Sequence, residues 1–582
     1  MGNKIVILVV LSLFSVSWTL GAQNLDPTVE VTREYEGKLM EIHKPALVMS
    51  VPDSLTRFAL DFDYSVFENP YKGAYDFNPY SLSLRPSTSD SGENKFYLRA
   101  GAGYQLHPEL DLVWSPKLRK NSFNVDVYAL HRSFVGDYWK LDVEPVSDSE
   151  CMLTRKSESG DDGTWFGYDL MSRAGADCRY DSESVAVGFG AGYYGLSQKD
   201  RLWDRNFNAL DAHVGVSTKP EDPDMTTYDI GLSYRFGRDR LSSSGLLSEH
   251  LLNFDLAFGP VRRGNHRLSF DLGVETASYS DAFSCMVGEV SVSPRYVFGN
   301  DRTRLDLGLH LAKIVRAKDM DGMYGAAEQY VYPDITFSWA VIPEAMKFYI
   351  KATGGNKINT YSSILSRNHH MTFAAAPALL DCTVERISAA AGFDGRISSR
   401  FSYNVRGGYA NYANALLDAV DNSGVPCASL RYAPYQKWFV SFDWALKTED
   451  ISFDGVLSYD RAWGDVFDSG CVSVAVLKPA FFTGDISFEY NWNRRIFCGA
   501  DCSFSTSRKG VFGVPPTMSD LVPQSILEIS GYADLGIFGE YATARGISFW
   551  LRVGNILNMT VQRNPLYAER GVNFTLGICL SL

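Results

Sequence analysis

Past its first two dozen residues the 582-residue chain has no stretch approaching the roughly 20 consecutive apolar residues that a membrane-spanning helix needs. A helical inner-membrane protein is therefore excluded. Basic residues are not in surplus: 55 Lys and Arg stand against 68 Asp and Glu, a net charge of -13, so the chain lacks the electrostatic footprint of a nucleic-acid binder. Its nine cysteines are odd in number and irregular in spacing, which supports neither a full disulfide framework nor a zinc pattern. No Gly-x-Ser-x-Gly elbow and no phosphate-binding glycine loop with its lysine occurs. With no catalytic constellation and no cofactor or metal motif, an enzyme is not expected. His369-His370 falls in a long link and reads as a solvated pair, and Asp161-Asp162-Gly163 lacks the spaced ligands of a calcium loop.

What is present begins at the two ends. Residues 1–22 carry an early cation, Lys4, an apolar run from Ile5 through Val16, then Gly21 and Ala22, the pattern of a secretory signal peptide. At the other end Val572, Phe574, Leu576, Ile578, Leu580 and Leu582 alternate with Gly571, Asn573, Thr575, Gly577, Cys579 and Ser581. One wholly apolar face and one small or polar face at the end of a secreted chain suit a wall strand of a membrane barrel. Aromatic residues, 13% of the chain, fit the girdles of such a barrel.

Between the ends the character changes near residue 94. Residues 23–94 hold Pro27, Pro45, Pro52, Pro70, Pro79 and Pro86, a spacing that interrupts helices and central strands and predicts an irregular arm. From residue 95 onward a period of two recurs, as in Arg267–Glu275, Arg304–Leu311 and Asp485–Asn493. Short links at 181–183, 263–265, 300–301, 343–344, 398–399, 449–450 and 494–495 alternate with longer ones around 133–163, 317–329, 359–382, 415–430, 464–484 and 508–525. Sorting of links by parity predicts an all-β fold: a large antiparallel up-and-down transmembrane barrel of about 22 strands, residues 95–582, preceded by the arm. Later strands are expected at 436–447, 452–463, 485–493, 495–507, 526–540, 546–556 and 571–582. The last of these is expected to close the barrel against the first, with both termini periplasmic.

The same alternation assigns an interior face. Arg99, Asp229, Arg235, Asp271, Glu275, Arg304, Asp306, His310, Glu489 and Arg552 fall on it, as do Asn253, Asp255, Arg267 and Asn491. Ionised groups there require water or one another, so the interior is expected to be wet, laced with ion pairs, or filled by a polar arm.

Near the C-terminus the residues carry a resemblance. Gly546-Ile-Ser-Phe-Trp-Leu-Arg-Val-Gly-Asn-Ile-Leu-Asn558, then Asn564-Pro-Leu-Tyr567, then Glu569-Arg-Gly-Val-Asn-Phe574 and the final strand resemble the closing hairpin of TonB-dependent receptors of the Gram-negative outer membrane. The Asn555-Ile-Leu-Asn558 turn is most similar to Bacteroidota versions, as is Lys478-Pro-Ala-Phe481. The chain departs from that family in having only residues 23–94 where a folded plug would stand. The resemblance implies an outer-membrane transporter or channel for a solute, embedded in the lipid bilayer and inserted by the barrel-insertion machinery through its C-terminal strand. It also makes TonB a partner, with Thr28, Val29, Glu30, Val31 and Thr32 similar to a TonB-docking strand. The alternative is a non-transporting barrel subunit of an outer-membrane assembly, biogenesis or secretion complex.

Overall fold

The computed structural model describes residues 96–582 apart from 105, 117–122, 148–149, 156–162, 202, 220–224, 242–244, 301, 319–327, 344, 372–378, 399, 423–425, 469–472, 514–524, 544–545 and 570. The expected signal peptide and arm, with Thr28–Thr32, lie outside the described residues, as do Asp161 and Asp162. In chain order come β1 (Phe96–Gly103), β2 (Glu109–Trp114), β3 (Phe123–Trp139), β4 (Leu141–Ser147), β5 (Glu150–Arg155), β6 (Thr164–Asp181), β7 (Val185–Lys199) and β8 (Asp204–Thr218). Next are β9 (Tyr228–Leu241), β10 (Gly245–Arg263), β11 (His266–Asp281), β12 (Cys285–Gly299), β13 (Thr303–Lys318), β14 (Glu328–Ile342) and β15 (Met346–Ile358). A helix, α1 (Tyr361–Arg367), precedes β16 (Cys382–Arg396), β17 (Phe401–Asp421), β18 (Cys427–Lys447), β19 (Ile451–Trp463) and β20 (Val474–Val476). The chain ends with β21 (Phe482–Trp492), β22 (Ile496–Ser505), β23 (Arg508–Phe512), β24 (Ser525–Ile529), β25 (Tyr532–Ala542), β26 (Ile547–Gly554) and β27 (Asn573–Ser581).

Strand alternation becomes a closed antiparallel barrel of 22 strands. Closure is made by β27 against β1, from Tyr97 opposite Ser581 to Gly103 opposite Thr575, so the sheet has no exposed edge there. On β27 Phe574, Leu576 and Ile578 are exposed while Thr575, Cys579 and Ser581 are buried, as the period of two requires. The outward belt continues round the wall through residues such as Leu268, Phe270, Leu307, Leu309, Trp438, Val440 and Phe549. A bilayer can solvate so much apolar surface where water cannot.

The seam shows how glycine makes room inside. Trp550 on β26 is buried, and its ring lies where a Cβ on Gly577 or on Gly101 would stand. Two adjacent strands thus leave a flat slot for one indole, and the Arg99 guanidinium covers its other side at 4.2 Å from the ring centroid.

Besides the link at 133–163, which holds the end of β3 and the β4–β5 hairpin, three places differ from expectation. The link at 415–430 is largely strand, because β17 runs to Asp421 and β18 begins at Cys427. Leu416, Val420, Ala428 and Leu430 are buried there against other links, which extends the ladder beyond the lipid belt. The single strand expected at 526–540 breaks into β24 and β25 at Ser530 and Gly531, where the Ser505 carbonyl oxygen lies 2.7 Å from any Cβ that position 531 would carry. β24 leaves the wall and joins β23, β5 and β4 in a separate four-stranded sheet, with β24 parallel to β5. Cys151, Leu153, Leu527 and Ile529 of that sheet pack on Val420, Ala475, Leu477 and Leu566 at the long-link end of the barrel. The third difference, the segment after β15, is the one that shapes the interior.

Candidate functional site

Tyr361, Ile364 and Leu365 recur at the helical spacing of i, i+3, i+4, and all three are buried. They meet Leu196, Phe207, Leu247, Ala277, Tyr279, Cys285, Val287 and Ile314, which lie on the barrel faces opposite the exposed apolar belt. The segment from Asn359 to Met371 is therefore folded into the mouth of the barrel, not projecting from it.

Its polar groups are met by the wall. Thr360 Oγ1 caps the helix by accepting from the Ser363 amide at 3.1 Å. The next orphan donors go to the barrel: the Tyr361 amide to the Tyr279 hydroxyl at 3.1 Å and the Ser362 amide to Glu249 Oε1 at 3.1 Å. The Tyr361 hydroxyl donates to Asp239 Oδ2 at 2.5 Å. Arg205, itself buried, donates to the carbonyl oxygens of His369 at 2.7 Å and Met371 at 2.9 Å while its Nε sits 3.2 Å from Asp239.

The imidazole pair expected in solvent is instead enclosed, because the segment carrying it turns inward. His369 Nε2 lies 2.7 Å from Asp169 of β6. Burial pushes the His369 pKa down, but the Asp169 carboxylate more than offsets this and the net shift is upward. His370 stacks on Tyr567 at 3.7 Å between ring centroids, and its Nδ1 accepts from the Gln198 side-chain amide at 2.5 Å. Burial first, then the neighbouring His369, lowers its pKa to about 4. His370 is accordingly neutral near pH 7, and its 3.7 Å approach to Asp200 is not an ion pair there. The Tyr567 hydroxyl donates to Asp200 Oδ2 at 2.5 Å, and burial followed by the Asp200 charge raises its pKa.

Beyond this cluster lies a cavity of about 480 Å³, bounded by His369 and His370 on one side and by the link from Asn555 to Asn573 on another. Its wall is formed by β2, β3, β6, β19, β21, β22 and β25 to β27. Seven carboxylates line it, Glu109, Asp169, Asp454, Asp485, Asp501, Asp534 and Glu569, against three guanidiniums, Arg132, Arg552 and Arg563. Arg563 is paired with Asp534 at 3.2 Å and with Glu569, which raise its pKa against the effect of burial. On adjacent strands Ser487 stands opposite Asp501 and donates to it at 2.8 Å, while Ser503 stands opposite both Asp485 and Asp534. The arrangement suits binding of a hydrophilic solute: acceptors and donors converge on one concave space, with Tyr138, Phe134 and Tyr567 supplying flat apolar surface.

Among the interior-face residues assigned from the strand pattern, Arg552 alone contributes to this cavity, which His369 and His370, expected in solvent, also line. It lies 3.8 Å from Asp501. Arg304 pairs with Asp306 at 2.7 Å, Arg235 with Asp211 at 3.9 Å, and His310 approaches Glu289 at 3.7 Å. Glu275 stands directly opposite Glu289, Asp271 opposite Ser293, Asp229 opposite Ala257, and Glu489 opposite Gly499 and Ser452. Arg99 covers Trp550 at the seam. Sequence reading missed Asp169, Asp200, Asp239 and Glu249 and gave Tyr567 only within the C-terminal resemblance; their importance depends on a link folding inward. The buried helical stripe at Tyr361, Ile364 and Leu365 was the available signal. Among the described residues no group of three or more His, Cys, Asp or Glu side chains is arranged to hold a metal ion.

No protein-family model matches the chain, and no curated protein matches it in sequence. Solved structures do match it in shape. The copper transporter OprC superposes with a TM-score of 0.61 over 86% of this chain and 82% of its own, at 11% identity. The FrpB iron transporter from Neisseria meningitidis, F5-1 variant, gives 0.61 over 84% and 83%, at 10% identity. The ferric-catecholate import receptor Fiu from K12 E. coli gives 0.59 over 84% and 82%, at 9% identity. At such identities the likeness is one of fold, that of the 22-strand barrel of TonB-dependent receptors.

Proposed function

We propose that this protein is an outer-membrane barrel transporter for a small hydrophilic solute, with its long-link end facing outward and both termini in the periplasm. One observation carries the reading: a closed barrel too wide to be filled by its own wall side chains keeps a charged cavity of about 480 Å³ beside an inward-folded segment. That volume falls within the range of about 300–1,000 Å³ typical of small-molecule sites. The shared fold with copper and iron transporters supports transport, and the excess of carboxylates favours cations over anions along the path. The interior residues Arg235, Arg304, Asp306 and His310 would serve as a polar lining to that path. TonB is the partner to test first, through Thr28–Thr32.

Reconstitution into planar bilayers checks this. The expected result is stepwise conductance with a reversal potential displaced toward the cation, from the full chain or from a variant in which residues 361–371 are replaced by a Gly-Ser linker. Silence from both proteins at every voltage, with the barrel folded, overturns transport. A second reading, a barrel subunit of a larger assembly, draws on the four-stranded sheet, where β4 forms an edge with no neighbour beyond it among the described strands. Stable co-purification with other outer-membrane proteins, together with absent conductance, would favour it.

A further inference from the structure

We infer that the segment Asn359–Met371 is a displaceable stopper, held in the barrel mouth by a latch of His369 on Asp169 and of Tyr567 on Asp200 and His370. Its role as a stopper rests on the transport reading above; its displacement does not, and is read separately below.

The docked state is a balance of opposed terms. Tyr361, Ile364, Leu365 and Met371 bury apolar surface against the wall, which favours docking. Against this, docking seals acidic groups away from water. Glu249 is 1% exposed, the donors it meets, the Ser362 amide of the segment and the Tyr279 hydroxyl of β11, are both neutral, and its Oε2 has no hydrogen-bond partner. Asp239 is fully buried under the same helix and is shared between Arg205 and the Tyr361 hydroxyl. Buried charge that is incompletely compensated is costly, and the cost disappears when the segment lifts and water enters. A helix of seven residues has little stability of its own, so on leaving the wall it has no reason to persist. An element so placed has two arrangements separated by a modest difference, which is the requirement for a switch.

The latch is placed to control it. His369, His370 and Tyr567 join three parts of the chain: the segment itself, the strands β6 to β8, and the link between β26 and β27. The same three side chains line the cavity, so an occupant of the cavity touches the groups that hold the stopper.

Two native thiols report on the displacement. Cys382 and Cys285 are buried in the core that the segment covers, at 0% and 7% exposure. In a full-length chain keeping only these two cysteines, purified in micelles, modification by a charged maleimide measures how often the segment lifts. Asp169→Asn, and separately Tyr567→Phe, which removes one hydroxyl, are each expected to raise the rate by about tenfold. Gln198→Cys with His370→Cys, at positions whose long side chains meet in the parent protein, bridged by a short bis-methanethiosulfonate, is expected to stop it, and reductant to restore it. Heat-modifiable migration on gels confirms that each variant remains a folded barrel. Equal labelling rates in the parent, both latch variants and the cross-linked form overturn the inference, leaving the segment a fixed part of the wall. If labelling responds but no form conducts in bilayers, the displacement stands and the transport reading fails.

Discussion

At the scale of single residues, the seam of the barrel is where one substitution has the plainest physical consequence. Trp550 occupies the space above Gly577 and Gly101, so a methyl group at position 577 must displace both the indole and the Ala100 carbonyl oxygen. Overpacking of this kind costs about 1–3 kcal/mol. Gly577→Ala is expected to lower the urea midpoint of barrel unfolding in micelles accordingly. Trp550→Ala, which empties the slot, is expected to cost about 3–5 kcal/mol alone. The pair taken together should cost less than the sum, because the second change relieves the clash with the ring while that with the Ala100 carbonyl oxygen remains. Strict additivity in that cycle would show that the ring does not sit in the slot. The glycines and the tryptophan were visible in the sequence; that they meet across three strands was not, since contact between position 101 and position 577 exists only once the barrel has closed.

At the scale of elements, the segment Asn359–Met371 carries two imidazoles with opposite shifts, and the signs give a pH profile. His369 is raised above its ordinary value of 6.5, so its stabilisation of docking is complete below that value and is lost as pH rises through the raised pKa. His370 is lowered to about 4, so the docked state holds it neutral: stabilisation is present above 6.5 and is lost as pH falls toward 4. The facing groups are Asp169 of β6, Asp200 and Arg201 after β7, Arg205 of β8, and Tyr567 and Glu569 of the last long link. Docking is therefore expected to be tightest close to pH 6.5 and to weaken on both sides. Limited proteolysis within residues 359–381, followed across pH 4.5 to 9, should show a minimum in cleavage rate near that value. His369→Ala should flatten the alkaline limb in part, since ionised Glu249 and Asp239 also oppose docking, and His370→Ala should flatten the acid one; a flat profile in the parent protein would contradict the assignment. None of this was legible in the pair His369-His370 itself. An imidazole's pKa is set by what encloses it, and what encloses these two comes from residues 169, 198, 200 and 567.

At the scale of the whole molecule, stability depends on closure. Deleting residues 573–582 removes β27 and leaves β26 and β1 as open edges, with unpaired backbone groups where lipid offers no hydrogen bonds. Such a chain is expected to yield no heat-modifiable folded species, whereas trimming Leu582 alone, which gives up a terminal pair of hydrogen bonds with Phe96, should be tolerated. Recovery of a folded barrel from the longer deletion would mean that another pair of strands can close it.

The sequence by itself determined the wall. A period of two is a local property, each strand sorts its own side chains between lipid and interior, and links of alternating length follow from chain direction, so strand number, closure and the lipid face could be read without coordinates. The places where reading failed, the extended hairpin at 415–430, the break at Gly531 and the inward fold of Asn359–Met371, share one cause. Each is decided by contacts between links far apart in the chain, where no lipid imposes a pattern. Only the tertiary structure decided what fills the mouth, which carboxylates face the cavity, and that two histidines read as solvated are enclosed, because those outcomes depend on what the closed barrel brings to one place.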